Sequence, residues 1–207
     1  MKAMTGFGLP ESCPAVVAGS DRVTRCAWAT ETGRDLTVYH DSFWGTPTHD
    51  RTALFRELVL TYFESGLSWA LIHAKRDAFD ASFAGFDPIV VAGFSPAKVE
   101  SLLGDRSIVR SRSKIEATVC NAQVVVTDDR FVDRIWGHAP AAHYRLRTRA
   151  DGRMDSPESR SLAKDMRSRG YRFVGPVVAH SFMQTVGVEN GHFDGCFRAP
   201  LTDPRGN

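Results

Sequence analysis

Four residues have types and spacing suited to holding one metal ion. His192 and Cys196 follow a His-x3-Cys pattern near the C-terminal end, and Cys26 and His40 lie far upstream with 13 residues between them. On a helix, residues four apart face one point. Two thiolates and two imidazoles suit tetrahedral zinc, and four protein ligands leave no position for a reactive water. The ion would then be structural. On spacing alone, a buried cysteine beside an unrelated surface histidine fits equally well. Cys13 and Cys120 lack histidine company and read as bystanders.

The bulk numbers set limits on what surrounds these residues. The chain has 207 residues, 43% of them apolar and 24% charged, which is a globular composition with ample material for a core. No apolar run is long enough to cross a bilayer. Residues Met1–Gly19 lack a basic start followed by an apolar block, so a cytoplasmic location is expected. Disulfides are then not expected. Residues 1–22 read as a flexible leader, 23–200 as the folded domain and 201–207 as a tail. The net charge of +2 is uninformative, but Arg130–Arg172 carries 11 basic and 5 acidic residues, and Arg110-Ser-Arg112-Ser-Lys114 is a second basic knot. Phosphate binding and a solvated charged face explain these runs equally well.

The elements that must position the candidate ligands read as helices. Thr48 or Asp50 caps an amphipathic run through Tyr62, and Gly66 breaks it. A helix is expected from about Ser68 to Phe83. Asp87-Pro88 opens a short one through Val91, and Ser95-Pro96 opens another with Val99, Leu102 and Leu103 on one face. Residues 107–110 make a tight connection to a long helix, Ser113–Val126. Residues 128–137 end a short helix at Trp136-Gly137, and 138–153 read as an irregular basic loop. Two more helices start at Ser156-Pro157 and Gly175-Pro176. Strand patterns are nearly absent, although Tyr171–Val174 has an extended character.

Several motifs are more specific. Arg25-Cys26-Ala27-Trp28, Tyr39-His40-Asp41-x-x-Trp44-Gly45-x-Pro47 and Gly66-Leu67-Ser68-Trp69 resemble the bacterial 3-methyladenine DNA glycosylase I family. So do Arg169-Gly170-x-x-Phe173-Val174-Gly175, Ser181-Phe182-Met183-Gln184 and His192-x3-Cys196, in the same order. The resemblance implies an all-α fold of the helix-hairpin-helix DNA glycosylase superfamily, with the hairpin lobe at about 50–135 and a zinc site joining the N- and C-terminal segments. It places a structural Zn2+ on Cys26, His40, His192 and Cys196, with Asp41 supporting a ligand. It implies a monomer acting on double-stranded DNA with alkylated bases, and hence a nucleoid-associated protein. Trp28, Tyr39 and Trp69 match the family's base-pocket aromatics, Trp44 supports them, and Leu67 lies in the loop aimed at the gap left by a flipped base.

Two departures stand out. The family's hairpin turn, Gly-Ile-Ile-Arg, is Ser107-Ile108-Val109-Arg110 here, and Ser107 lacks glycine's freedom at positive φ. Ser107, Arg110, Arg112 and Lys114 are the expected DNA contacts. The family's base-contacting Glu is Thr61, and a second motif Glu is Phe43. A carboxylate is the natural partner of a cationic base, whereas Thr offers a hydroxyl only. Glu64, one turn later, is a candidate substitute, so Thr61 and Glu64 are the expected catalytic positions. The function implied is hydrolysis of the N-glycosidic bond of an alkylated purine, 3-methyladenine or a bulkier adduct. The alternative is a non-catalytic relative that binds DNA and senses or shields alkylation damage.

Overall fold

The computed structural model describes residues 14–31, 36–142 and 144–200. Strands β1 (Val16–Ala18) and β2 (Thr24–Cys26) pair antiparallel, with Val16 opposite Cys26. The fold is therefore mostly helical rather than purely so, and β1 falls within the stretch 1–22 that was expected to be a flexible leader. Ala15 and Val16 pack onto the apolar group around Cys26 and Trp28, which fixes the strand. Three-residue strands carry too little alternation to be read from periodicity. Residues 1–13, including Cys13, and the expected tail at 201–207 lie outside the described residues.

Helices α1 (Trp28–Glu31) and α2 (Thr37–Ser42) follow, then α3 (Arg51–Glu64). Asp50 caps α3 by accepting from the Ala53 amide at 2.7 Å. The interval expected to be one helix from Ser68 to Phe83 is split into α4 (Trp69–His73) and α5 (Arg76–Ser82). Lys75 leaves the helical path and its ammonium reaches the Ser107 carbonyl at 2.5 Å. A short 3₁₀ turn (Ala84–Phe86) leads to α6 (Pro88–Ala92), α7 (Pro96–Gly104), α8 (Arg112–Thr127) and α9 (Phe131–Trp136). After a 3₁₀ turn at Arg149–Asp151 come α10 (Pro157–Ser168) and α11 (Pro176–Thr185). Tyr171–Val174 is not extended: Phe173 sits in the left-handed region at φ 59°.

Two apolar groups organise these elements. The larger surrounds α3, whose Leu54, Phe55, Leu58, Val59, Leu60, Tyr62 and Phe63 are all buried. A helix apolar on nearly every side is a central helix, and α3 accordingly packs against α4, α8, α9 and α11. Among the described residues, no helix is long and apolar enough to cross a membrane. The smaller group joins both ends of the chain: Cys26, Trp28, Leu36, Tyr39 and Trp44 with Leu146, Phe193 and Cys196. A parallel bridge between Leu146 and Phe193 and a hydrogen bond from the Phe197 amide to the Thr24 carbonyl (2.9 Å) close it.

The two groups meet where residues 45–47 lie against the end of α11. The Gly45 amide donates to the Thr185 carbonyl at 2.9 Å. Gly187 has φ +78°, and a Cβ there would fall 2.6 Å from the Pro47 nitrogen and 2.8 Å from the Gly45 oxygen. Both the backbone angle and the approach require glycine. Gly187→Ala should lower stability by roughly 1–3 kcal/mol, read by urea denaturation, with the loss set by the strained angle and the forced shift of residues 45–47.

Candidate functional site

Cys26 ends β2, His40 lies on α2, and His192 and Cys196 follow α11. All four are buried, and their candidate ligand atoms lie within 4.8 Å of one another. His40 Nε2 is 3.4 Å from Cys196 Sγ, and His192 Nδ1 is 3.7 Å from each sulfur. With zinc–sulfur and zinc–nitrogen bonds of about 2.3 and 2.0–2.1 Å, a tetrahedral ion spaces its S and N ligands about 3.6 Å apart. The cluster therefore has the donors and the spacing to hold one such ion. The His192–Cys196 segment is not the helical turn expected from its spacing; it is a tight turn with Gly195 at φ +90°, and it converges on the same point by that route.

The surroundings favour the ligating forms. Asp41 Oδ1 lies 2.8 Å from His40 Nδ1, which leaves Nε2 to face the sulfurs. Arg25 in turn holds Asp41 through Nε (2.9 Å) and Nη2 (2.7 Å). Burial alone would raise the Asp41 pKa, but the hydrogen bonds from Arg25 and His40 outweigh it and keep the carboxyl below its usual range. Burial lowers the His192 pKa and so favours neutral imidazole. Burial and the neighbouring Cys196 push the Cys26 thiol up, whereas hydrogen bonds from Cys26 and the two histidines pull Cys196 down. Backbone amides of Phe193 and Arg198 point at the two sulfurs, at 3.5 and 3.4 Å. His192 Nε2 is buried without a hydrogen-bond partner, beside the Trp44 ring at 4.6 Å.

The three expected pocket aromatics come together next to this cluster. Trp28 is fully buried and lies edge-on to His40 (5.2 Å), Trp44 (5.0 Å) and Trp69 (5.4 Å). Tyr39 is 5.6 Å from Trp69. Trp28 thus forms the floor between the metal-type cluster and Trp69. His73, one turn after Trp69 on α4, contacts both Tyr39 and Trp69. Sequence reasoning missed it, although the i,i+4 spacing was the available signal.

The α3 residues do not sit as expected. The Thr61 hydroxyl donates to the Glu57 carbonyl one turn back, at 2.7 Å, and the residue is buried. Glu64 is half-buried; burial first, and then the charge of Glu57, raise its pKa well above the usual carboxylate range. Glu64 was expected as the substitute carboxylate; its burial disfavours the ionised form that a cationic base would need. Thr61 and Glu64 line neither of two adjoining clefts of about 200 and 360 Å³, which share Tyr39, Phe43 and Arg76. The carboxylate at this place is Glu57, which borders the smaller cleft and is ion-paired with Arg56 (2.6 Å) and Arg76. The Arg76 guanidinium lies 5.1 Å from the Tyr39 ring centre. Phe43 is 63% exposed at the mouth of both clefts.

Between α7 and α8, Ser107 stays out of the left-handed region, and its amide and hydroxyl both donate to Asp105 Oδ1, at 2.8 and 2.6 Å. The turn is thereby rebuilt on Asp105 without strain. Ile108 anchors it in the core and Arg110 projects into solvent. Arg112 forms a two-pronged pair with Glu100 across the hairpin, at 2.8 and 3.0 Å. Lys114, expected as a DNA contact, is turned inward: it is buried, and its ammonium donates to the Phe63 and Ser65 carbonyls (3.0 and 2.7 Å), satisfying the C-terminal end of α3. Leu67, in the loop after α3, is 42% exposed. Much of the basic run after Arg130 is neutralised locally. Arg134, Arg145, Arg160 and Arg169 each pair with an aspartate, and Arg149 is buried against the Pro14 carbonyl.

The fold places the chain among helical DNA glycosylases. It superposes on a solved 3-methyladenine DNA glycosylase I with TM-score 0.78 and 34% identity, covering 84% of this chain and 98% of that one. A second solved relative is the 3-methyladenine DNA glycosylase I of Staphylococcus aureus, described for its recognition of 3-methyladenine. It matches with TM-score 0.75 and 29% identity over 80% of this chain and 91% of its own. The profile of the methyladenine glycosylase family matches residues 28–199, and the chain belongs to that family. DNA-3-methyladenine glycosylase 1 of Escherichia coli K12 is 36% identical over 188 residues, 87% of this chain and 99% of the relative.

The Glu64 environment gives a signed prediction. A carboxyl whose folded pKa exceeds its ordinary value of 4.5 is destabilising when ionised, so its penalty appears as pH rises above about 4.5 and is absent below. Glu64→Gln should therefore melt at a higher temperature than wild type at pH 8 and at the same temperature at pH 4, measured by thermal denaturation at both.

Proposed function

We propose that this chain hydrolyses the N-glycosidic bond of an alkylated purine, of the 3-methyladenine kind, flipped out of double-stranded DNA. The observation that carries this reading is the intact aromatic group of Trp28, Tyr39 and Trp69 in a member of the methyladenine glycosylase family. Stacking on such a group is worth roughly 1–3 kcal/mol per base. A 3-alkylated adenine is cationic within DNA and leaves readily, so the site needs to hold the base and stabilise positive character at the sugar rather than supply a proton. In this reading Glu57 is the carboxylate that borders the smaller cleft with Tyr39, one helical turn from the position where the family carries Glu and this chain carries Thr61, with its charge shared by Arg56 and Arg76.

Leu67 would enter the gap left by the base. Ser107, Arg110 and Arg112 would meet the phosphate backbone from the hairpin turn, with Arg112 leaving Glu100 to do so. Cys26, His40, His192 and Cys196 would hold one structural zinc ion, whose chemistry here is to fix the thiolates and imidazoles in place. Its four ligands pack against Trp28 through His40, so the ion would act by holding that aromatic in place while this chain's own side chains face the substrate.

The commitment of the Thr61 hydroxyl to its own helix favours a second reading, a DNA-binding relative without catalysis. Incubation of the protein with DNA treated with a methylating agent separates the two. Release of free 3-methyladenine by wild type, with a ten- to hundredfold loss in Trp69→Ala, is the expected result. Intact binding of alkylated DNA with no base released from methylated or bulkier adducts would favour the second reading.

A further inference from the structure

Among the described residues, two phenylalanines sit in the left-handed region, Phe86 and Phe173, both at φ 59°. For a bulky side chain this backbone is costly, and it persists where the surroundings over-determine it. At Phe86 full burial in the larger core offsets the cost. Phe173 has no such compensation. Its ring is 42% exposed and stacks on Tyr62 at 5.8 Å.

The neighbours nevertheless hold Phe173 in this presentation. Asn121 is fully buried and uses its whole side-chain amide on the residue before it: the Arg172 amide donates to Oδ1 at 2.7 Å, and Nδ2 donates to the Arg172 carbonyl at 3.0 Å. Tyr171 is buried and stacks on Phe131 at 6.0 Å, and Val174 is buried as well. Arg172 and Phe173, between them, both face out. Arg134, Arg145, Arg160 and Arg169 each have an aspartate, whereas the Arg172 guanidinium has no acidic partner among the described residues. A free cation beside an exposed ring suits nucleic acid.

Helix α8 relates this pair to the hairpin turn and to Leu67. Its Lys114, Thr118 and Asn121 are spaced i, i+4 and i+7 and so share one face. Lys114 donates to the Ser65 carbonyl at the start of the loop bearing Leu67, Thr118 meets the Tyr62 hydroxyl at 2.6 Å, and Asn121 holds Arg172. The same helix begins directly after Arg110 of the hairpin turn. Seven residues of helix put the first and last of these anchors about 10 Å apart, the rise of about three base steps.

We propose that Arg172 and Phe173 form a second DNA contact, about three base steps along the duplex from the point where Leu67 enters, with Arg172 on a phosphate and Phe173 on the sugar beside it. Both are positioning residues, and the left-handed backbone serves to hold an apolar ring out where the duplex passes. This inference rests on the glycosylase reading.

The test is binding of a labelled duplex carrying an abasic-site analogue to the full-length protein, read by fluorescence anisotropy at several salt concentrations. A titration with free 3-methyladenine, read by tryptophan fluorescence, runs beside it. Arg172→Ala should bind the duplex more weakly, and its slope of log affinity against log salt should be shallower by one phosphate, roughly 0.9. Phe173→Gly, which suits the left-handed backbone, should stay folded and bind the duplex roughly five- to twentyfold more weakly. Phe173→Tyr, which keeps the ring, should bind as wild type does. Free 3-methyladenine should bind all three variants as it binds wild type. Wild-type duplex binding by Arg172→Ala and folded Phe173→Gly would overturn the proposal. Equal losses of duplex and free-base binding would also overturn it, because they mark a structural role. If Phe173→Gly unfolds, an unchanged salt slope in Arg172→Ala overturns it alone. If wild type still releases base in those cases, only the second contact falls. If wild type binds neither duplex nor base, the glycosylase reading falls and this contact with it.

Discussion

The structure depends on closing the chain's two ends on one another at four buried side chains. Cys26 and Cys196 are separated by nearly the whole chain, yet each stands within 3.7 Å of His192 Nδ1. Without an ion, this arrangement gathers two thiols and two imidazoles in a space closed to water, which is costly. With one, the same donors bind strongly: structural zinc sites contribute on the order of 10–16 kcal/mol, comparable to the whole stability of a domain. The hairpin β1–β2, the turn around Gly195 and the Leu146–Phe193 bridge all serve this convergence.

What the closure positions is Trp28. It packs edge-on against both His40 and Trp69. Movement of the cluster would move the floor beneath the aromatic group. The larger core then positions the other wall, because α3 carries Glu57 on the face toward Tyr39 and ends where Lys114 satisfies its last carbonyls. The two apolar groups thus meet at the clefts beside Tyr39. Phe43 and Arg76 line both clefts, Glu57 borders the smaller and His73 the larger.

Most of this fold was legible in the sequence, since caps and apolar spacing are local. Asp50, Ser95, Ser156 and the proline-initiated helices start where their residue types dictate. The metal-type cluster was legible as a residue set, and its four members converge. The failures share a cause, which is that long-range contacts decided them. Ordered residues at Val16–Ala18 depend on a partner strand and an apolar group made by the far end of the chain. The break at Lys75 depends on a carbonyl of the hairpin turn. Lys114 belongs to a basic run in sequence, but the fold turns it inward against α3. Glu64 had the right spacing, yet its burial raises the carboxyl pKa and so disfavours its charge.

One ion held by Cys26, His40, His192 and Cys196 would join the two ends of the fold and hold the aromatic floor in place. Metal analysis of tag-free protein, run in parallel on wild type and Cys26→Ala, decides this. About one zinc per wild-type chain is expected, with loss of that zinc in the variant together with a lowered melting temperature. Metal-free wild-type protein with the melting temperature and tryptophan fluorescence of the zinc-loaded form would contradict it.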